Sequence, residues 1–449
     1  MDRQLKLVLI ISILASFVAF LDGSVVNVAL PAIVHDLGGG LEVQQWVVDA
    51  YLITLGSLIL LAGSLSDLFG RKRILVAGLI GFGVTSLLCA IAPTSIFLII
   101  ARGLQGIAGA LLVPSSLALI IANFSGKAQG KAIGTWTAWT GISFIIGPLL
   151  GGFLVDSFSW RLIFAINIVP IVLCLYLMTH LTIKDTVSQL KLDVYGAILC
   201  SVGLFGVVFA LIEQPTYGWL NGIIYGSLLL GLGCLIAFVV YENKITNGML
   251  PLSLFKVRNF TAGNLATITI YGGLSIATFL IVIFLQQVSG YSALEAGLTL
   301  LPVTLIMFVL SPRFGKLAGT YGPRMFMTFG PLIAGAGFLL MLRVGAHVNY
   351  VNQLLPGILV FALGLSMTVA PLTTAVLGNI DKDHSGIASA INNAISRIAG
   401  LIAIAILGVL IGNNISLSGF HRAILATAVL LVIGGLVSFI GVRNPETTR

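Results

Sequence analysis

The chain has 449 residues, of which 58% are hydrophobic and only 8% charged, against about a quarter charged in an ordinary soluble domain. Apolar runs of roughly 20 residues recur along it, enough to cross ~30 Å of hydrocarbon as a helix, and strand-like alternation is missing, which excludes a β-barrel. The formal net charge of +8 does not point to nucleic acid, because the basic residues sit in short loops on alternate sides of the runs, where they act as an orientation signal.

These features predict an all-α polytopic membrane protein with no sizeable soluble domain. Arg3 and Lys6 precede the first run. That run is long, contains Asp22 and lacks a convincing cleavage site, so it reads as a first span rather than a signal peptide. The first six spans are placed near 7–30, 44–67, 74–92, 96–120, 132–155 and 161–180. Two more follow near 193–213 and 220–241, and the last six near 260–287, 295–317, 324–343, 351–377, 386–411 and 421–441. The connections are short. The longest lie around 181–192 and around 242–259, the latter a surface segment containing Pro251. With both termini cytoplasmic, about 18 of the 23 Lys and Arg fall in inside loops and about 3 outside, with Arg102 and Arg397 inside spans. Cys89, Cys174, Cys200 and Cys234 all lie in apolar runs without metal spacing, so they read as small packing residues and no metal is expected.

A glycine-rich hairpin, Gly63 to Arg73, joins the second and third spans. Gly315 to Arg324 repeats its pattern, with Gly63, Leu65 and Gly70 aligning with Gly315, Leu317 and Gly322. Both copies fall between the second and third spans of a six-span unit. Parallel repeats of this kind belong to transporters in which two bundles rock about a midplane site. The expected organisation is an N-terminal six-helix bundle (1–182), a two-helix insert (183–245) and a C-terminal six-helix bundle (246–449).

Three ionisable residues fall inside the first bundle. By helix rise, Asp22 lies about 12 Å from the outer end of its span, Asp49 roughly 6–9 Å and Arg102 about 9–10 Å. An unpaired charge at such depth costs several kcal/mol, so pairing or protonation is expected, with Asp22 against Arg102 and Asp49 nearer the vestibule. A carboxylate alternating between apolar surroundings and an arginine would load and release a proton, which makes Asp22, Asp49 and Arg102 the candidate proton-coupling set.

The hairpin resembles the signature loop of the major facilitator superfamily, G-x-L-x-D-x-x-G-R-[KR], through Gly63, Leu65, Asp67, Gly70, Arg71 and Lys72. The resemblance implies the major facilitator fold and a conformational latch in which Asp67 faces the start of the penultimate helix, near Ser385 and Gly386. Leu21-Asp22-Gly23-Ser24-Val25-Val26-Asn27-Val28-Ala29-Leu30-Pro31 is similar to the first-span motif of that superfamily's fourteen-helix drug:proton antiporters, with Ser24 in place of the usual Thr. Ala101 to Gly106, containing Arg102 and Gln105, resembles the fourth-span motif, whose arginine is implicated in proton transfer. Ser143, Gly147, Pro148, Gly151 and Gly152 resemble the antiporter motif of exporters, with Ser143 where the first Gly would stand. Small residues four apart let helices approach closely, and the proline permits a bend. Trp160 to Phe164 with Asn167, and Asp193 with Gly196, also match the fourteen-helix group.

In the second half, Gln286-Gln287, Gly290-Tyr291, Glu295 to Leu298 and Pro302 are similar to the family's outer loop. Asn392, Asn393 and Arg397 resemble its N-x-x-x-R pattern. Arg397, near the midplane, either lines the cavity or pairs with backbone carbonyls. The second-half acids Glu295, Asp381, Asp383 and Glu446 all stand at span ends, in loops or in the tail, which favours monocationic or neutral lipophilic cargo over dications. Residues placed at the substrate cavity are Asn27, Gln105, Trp136, Trp139, Asn264, Gln286, Asn393 and Arg397. Tyr271 and Phe284 are further aromatics that could face it, and for each aromatic taken alone, Trp136 and Trp139 included, lipid-facing or core packing is the favoured reading.

The resemblance thus implies proton-driven export of amphiphilic drugs or dyes by alternating access from the cell membrane. It implies no cofactor beyond the proton gradient, lipids as the surroundings, no nucleic-acid partner and function as a monomer. The alternative cargo is an endogenous lipid or metabolite. Catalysis is disfavoured, because His35, His180, His347, His384 and His421 all map to loops or span edges and no catalytic pair shares a span.

Overall fold

A computed structural model describes residues 3–182, 192–245, 248–378, 380, 385–412 and 415–444. Among them, fourteen helical spans are long and apolar enough to cross a membrane. They are α1 (Arg3–Leu37), α2 (Leu41–Phe69), α3 (Arg71–Ala90), α4 (Ser95–Asn123), α5 (Ala128–Ser157), α6 (Leu162–Thr179), α7 (Val194–Tyr217) and α8 (Gly222–Glu242). The remainder are α9 (Arg258–Gln287), α10 (Ala293–Tyr321), α11 (Pro323–Arg343), α12 (Tyr350–Leu377), α13 (Gly386–Ile411) and α14 (Leu417–Gly441). Asp381, Asp383, His384 and Glu446 lie outside the described residues.

Most helices run past the apolar stretches that announce them. The first span reads as 7–30 by hydropathy, yet α1 continues through Pro31 to Leu37. An apolar window follows the hydrocarbon thickness, whereas the polar turns beyond it stay helical at the interface. Side chains fix several starts: Thr94 accepts the N–H of Phe97 at 3.2 Å before α4, and Ser416 that of Gly419 at 3.1 Å before α14. Asp193 accepts the N–H of Gly196 at 2.8 Å and so caps α7. Each of these oxygens meets a backbone donor that the helix itself leaves unpaired.

The chain divides into two compact units. Unit 1 comprises Met1–Val207, Ser227–Met249 and Ser292–Leu294; unit 2 comprises Val208–Gly226, Leu250–Tyr291 and Glu295–Arg449. The α7–α8 pair is divided between them, and its unit 1 part packs on α2: Ser201 donates to Ser57 at 2.9 Å, and Phe205 stacks at 5.8 Å from Trp46.

Unit 1 packs Val8, Ile11, Ala15 and Val18 of α1 against Leu75, Leu79 and Phe82 of α3, Leu112 and Leu119 of α4 and Ile171 of α6. In unit 2, Phe284 of α9 stacks on Phe420 of α14 at 4.1 Å, and Phe338 of α11 meets Phe361 of α12 edge-on at 4.8 Å. Phe284 is fully buried in that core, which decides between its two sequence readings in favour of packing.

The repeated hairpin is repeated in backbone too. Gly70, between α2 and α3, has φ 97° and ψ 132°; Gly322, between α11 and the helix before it, has φ 86° and ψ 154°. Both lie in the region that L side chains avoid, which is why glycine recurs there. One hairpin turn serves both halves.

Candidate functional site

α1 and α4 carry the first two site residues to one point inside unit 1. Asp22 is completely buried and Arg102 is 1% exposed, and Arg102 Nη1 meets Asp22 Oδ2 at 2.5 Å. The rest of the guanidinium is also held. Nε donates to the carbonyl of Val47 at 3.0 Å, Nη1 to Gln105 Oε1 at 2.7 Å, and the Tyr51 ring lies 4.3 Å beneath it. A cation over an aromatic face gains a further electrostatic attraction where water is absent.

Asp22 is satisfied by three donors from two helices. Besides Arg102 of α4, its Oδ1 accepts from Gln105 Nε2 and from Asn167 Nδ2 of α6, each at 3.0 Å. Ser86 of α3 closes the group by accepting from Gln105 at 2.9 Å, and Cys89 Sγ lies 3.6 Å from Gln105 Oε1. A buried ion pair is tolerated only when the remaining lone pairs and protons are bonded in this way. α4 can place Arg102 and Gln105 together because residues three apart share a face. Close approach of α2 to α4 depends on Gly106, where a Cβ would collide with Thr54 and the backbone of Tyr51.

Asp49 has a different environment. It is completely buried, and neither carboxyl oxygen has a hydrogen-bond partner among the described residues. Tyr51, two residues on, supplies the ring under Arg102, so Asp49 projects from another side of α2. It continues the ladder Trp46, Asp49, Ile53, Ser57, whose two ends contact Phe205 and Ser201 of α7. The structure therefore brings Asp22 and Arg102 together and leaves Asp49 out of that network.

The motif on α5 forms the seam with α1. A Cβ at Gly147 would strike Ser24, and one at Gly151 would strike Val25 and Val28. Ser24 Oγ donates to the carbonyl of Ser143 at 3.1 Å. Gly152 packs on the backbone of Leu294, in the short segment that belongs to the same unit. Pro148 lies within the helix and removes one backbone bond from it. An apolar crevice of about 300 Å³ opens beside this seam, lined by Leu21, Ile146, Leu150, Ile166 and Pro170 among others.

At the hairpin, Arg71 pairs with Asp67 at 3.2 Å, four residues apart and partly exposed, and Lys72 donates to the carbonyl of Leu181. Gly63 is half-buried with open space where a Cβ would stand.

The residues assigned to a substrate cavity separate into groups. Gln105 is fully buried within the Asp22 network, and Asn264 is 2% exposed and accepts from Asn392 Nδ2 at 2.9 Å. Asn392 also donates to Thr267 at 2.8 Å, which ties α13 to α9. Trp136 is half-buried and donates to Ser16 at 3.0 Å, while Trp139 is 51% exposed. Asn27, Gln286, Asn393 and Arg397 are half-buried, and Tyr271 lies within electrostatic reach of Arg397.

Sequence reasoning assigns no site role to Ser86, Cys89 or Tyr51, and places Asn167 only within a motif. Small polar residues in apolar spans carry little signal of their own. Buried depth matching that of Asp22 is the feature that would have selected Ser86 and Asn167.

A fully bonded ion pair inside one of two repeated helical bundles is the build of a membrane transporter. Comparison with known proteins makes this particular. The model of the Major Facilitator Superfamily matches residues 12–404 and 265–449; the chain belongs to that superfamily and is a multi-pass protein of the cell membrane. It is 33% identical over 433 residues to the methylenomycin A resistance protein of Streptomyces coelicolor, covering 95% of this chain and 90% of that one. It is 32% identical over 414 residues to the multidrug transporter protein MdtP of Bacillus subtilis, covering 90% and 75%. Among solved structures, the peptide transporter POT in complex with sulfate superposes with a TM-score of 0.72 at 16% identity, over 98% of this chain and 94% of that one.

Proposed function

We infer that this transporter exports amphiphilic, monocationic or neutral lipophilic compounds, drugs and dyes among them, in exchange for protons. The observation that carries the reading is the buried Asp22–Arg102 pair, in a chain whose relatives include proteins named for antibiotic resistance and multidrug transport. Protonation of Asp22 removes the negative charge facing Arg102, turns the ion pair into an ion–neutral contact and so weakens the tie between α1 and α4. A proton taken from one side favours one arrangement of the bundles and substrate favours the other, which is the differential affinity that coupling requires. Asp49, which has no hydrogen-bond partner among the described residues, is the second group through which a proton enters the cycle. Asp67 and Arg71, with Gly63, Gly70 and Lys72, act as the latch, and Asn27, Trp136, Trp139, Gln286, Asn393 and Arg397 line the path of the cargo.

The test is ethidium transport in inverted membrane vesicles with an imposed proton gradient. The wild type is expected to accumulate dye, to lose it when the gradient is collapsed, and to show no gradient-driven uptake as Asp22→Asn. Full proton-driven uptake by Asp22→Asn would remove Asp22 from the coupling step.

A further inference from the structure

α6 is broken where it passes Asp22. Pro170 has no N–H to return to the carbonyl of Ile166, and Val169 bonds that carbonyl instead at 3.3 Å. Asn167 stands at the break and is completely buried. Its Nδ2 donates to Asp22 Oδ1 at 3.0 Å and, more weakly, to Ser86 Oγ at 3.4 Å. Its Oδ1 is buried and has no hydrogen-bond partner among the described residues. An empty acceptor in such a place is costly, so the amide holds capacity that this arrangement does not use. Half a turn about the terminal torsion exchanges Nδ2 and Oδ1, and the carboxyl of Asp22 would then face an acceptor.

The ionisable groups around this pair are Arg102 on α4, Cys89 on α3 and Tyr51 on α2, with Asp49 on another side of α2. α1 has no other ionisable residue between Lys6 and His35, α5 carries Lys131 and Asp156 only near its ends, and α6 carries Cys174 and Tyr176 in its second half, with Arg161 and His180 beyond its ends.

We propose that Asn167 is the partner through which Asp22 gains and loses its proton without leaving the core, its amide donating to the carboxylate and accepting from the acid. The proposal rests on proton exchange at Asp22, the reading given above. One proton passes from a hydronium ion to the carboxylate: one O–H bond of the hydronium breaks and leaves water, one O–H bond forms on Asp22, and Arg102 keeps its charge. Removal of the amide takes one of three donors from the carboxylate, which keeps Arg102 and Gln105, and it takes from the acid the acceptor that half a turn of the amide would bring to it. The acid loses more. The titration midpoint of Asp22 in Asn167→Leu therefore moves to lower pH, by about one unit.

The experiment is an infrared difference titration of the purified full-length protein. The carboxyl band of Asp22 is the one lost in Asp22→Asn. Asn167→Leu is expected to lower its midpoint by about one pH unit, and Asn167→Thr, whose hydroxyl both donates and accepts, to restore most of the shift. An unmoved midpoint in Asn167→Leu, or equal shifts in the two variants, overturns the proposal. Ethidium uptake is measured alongside. A shifted band in a protein that moves no dye keeps the role of Asn167 and removes the export reading. A wild type in which no titrating band is lost in Asp22→Asn removes proton exchange at Asp22 and the proposal with it.

Discussion

In unit 1 one network of polar contacts between buried helices is built on charge: Asp22 and Arg102 draw in Gln105, Asn167 and Ser86. In unit 2 the corresponding kind of contact is neutral, with Asn392 bridging to Asn264 and Thr267. α12 contains no charged residue, and α9 and α11 to α14 contain no acid. The backbone devices, by contrast, are shared, since Gly70 and Gly322 adopt the same left-handed turn at equivalent places. The two halves share the turns that shape the bundles, while the buried acids stand in one of them. This division suits a transporter in which one half responds to protons and the other shapes the cargo site.

The sharpest way to break this comparison is to remove one charge. Arg102→Leu leaves Asp22 buried beside two amides and is expected to destabilise the protein by about 3–5 kcal/mol. Asn392→Ala removes only neutral bonds and should cost about 1–2 kcal/mol. Thermal denaturation of the purified proteins reads both. The double variant Asp22→Asn/Arg102→Leu should recover part of the lost stability, because no uncompensated charge remains, and should still fail to couple dye movement to the proton gradient. Equal losses for Arg102→Leu and Asn392→Ala would mean that the charged interior of unit 1 has no special energetic standing.

Much of this architecture is legible in the amino-acid sequence. Fourteen spans follow from apolar length, and the repeat from two glycine hairpins at equivalent topological positions. The depth of Asp22 and Arg102 follows from helix rise alone, and the fold places them in contact. Other features are hidden for physical reasons. Helix rise puts Asp49 at similar depth, but depth along a helix says nothing about which side of it a residue occupies, and Asp49 projects away from Arg102. Gln105 reads equally well as a cavity residue, since a polar side chain beside an arginine serves either purpose. Asn167 lies 145 residues from Asp22, and its placement depends on the break at Pro170, which spacing along an ideal helix does not reveal. Phe284 is told from a cavity aromatic only by Phe420 stacked on it, a contact between helices far apart in the chain.

A smaller effect separates two seams, that of α1 with α5 and that of α9 with α13. A Cβ at Gly147 meets Ser24 Oγ, Ser24 Cβ at 2.8 Å and the backbone N of Val25 at 3.3 Å. The helices must part to admit it, so Gly147→Ala is expected to cost about 1–3 kcal/mol. At Gly400 on α13 the nearest atom is the Ser275 hydroxyl at 2.6 Å, with its Cβ at a comfortable 3.5 Å. A hydroxyl can rotate away, so Gly400→Ala should change stability by no more than about 0.5 kcal/mol. If the thermal shifts of the two variants match, the seam of α1 with α5 is no tighter than that of α9 with α13.

The smallest change in stability concerns the one position at which the two hairpins differ most. Asp67 stands in the first copy where Gly319 stands in the second. Its pair with Arg71 is partly exposed, with the two side chains 40% and 23% accessible, and such i,i+4 pairs contribute only about 0.3–0.5 kcal/mol, less as salt rises. Asp67→Asn should therefore leave the denaturation temperature almost unmoved. A latch acts on the balance between conformations rather than on folding, and a shift of ~1.4 kcal/mol in that balance changes populations about tenfold. Gradient-driven ethidium uptake is accordingly expected to fall about tenfold in Asp67→Asn at near-constant stability. An unchanged rate would make the hairpin acid a surface charge like any other, and would leave the asymmetry between the two halves to Asp22, Asp49 and Arg102 alone.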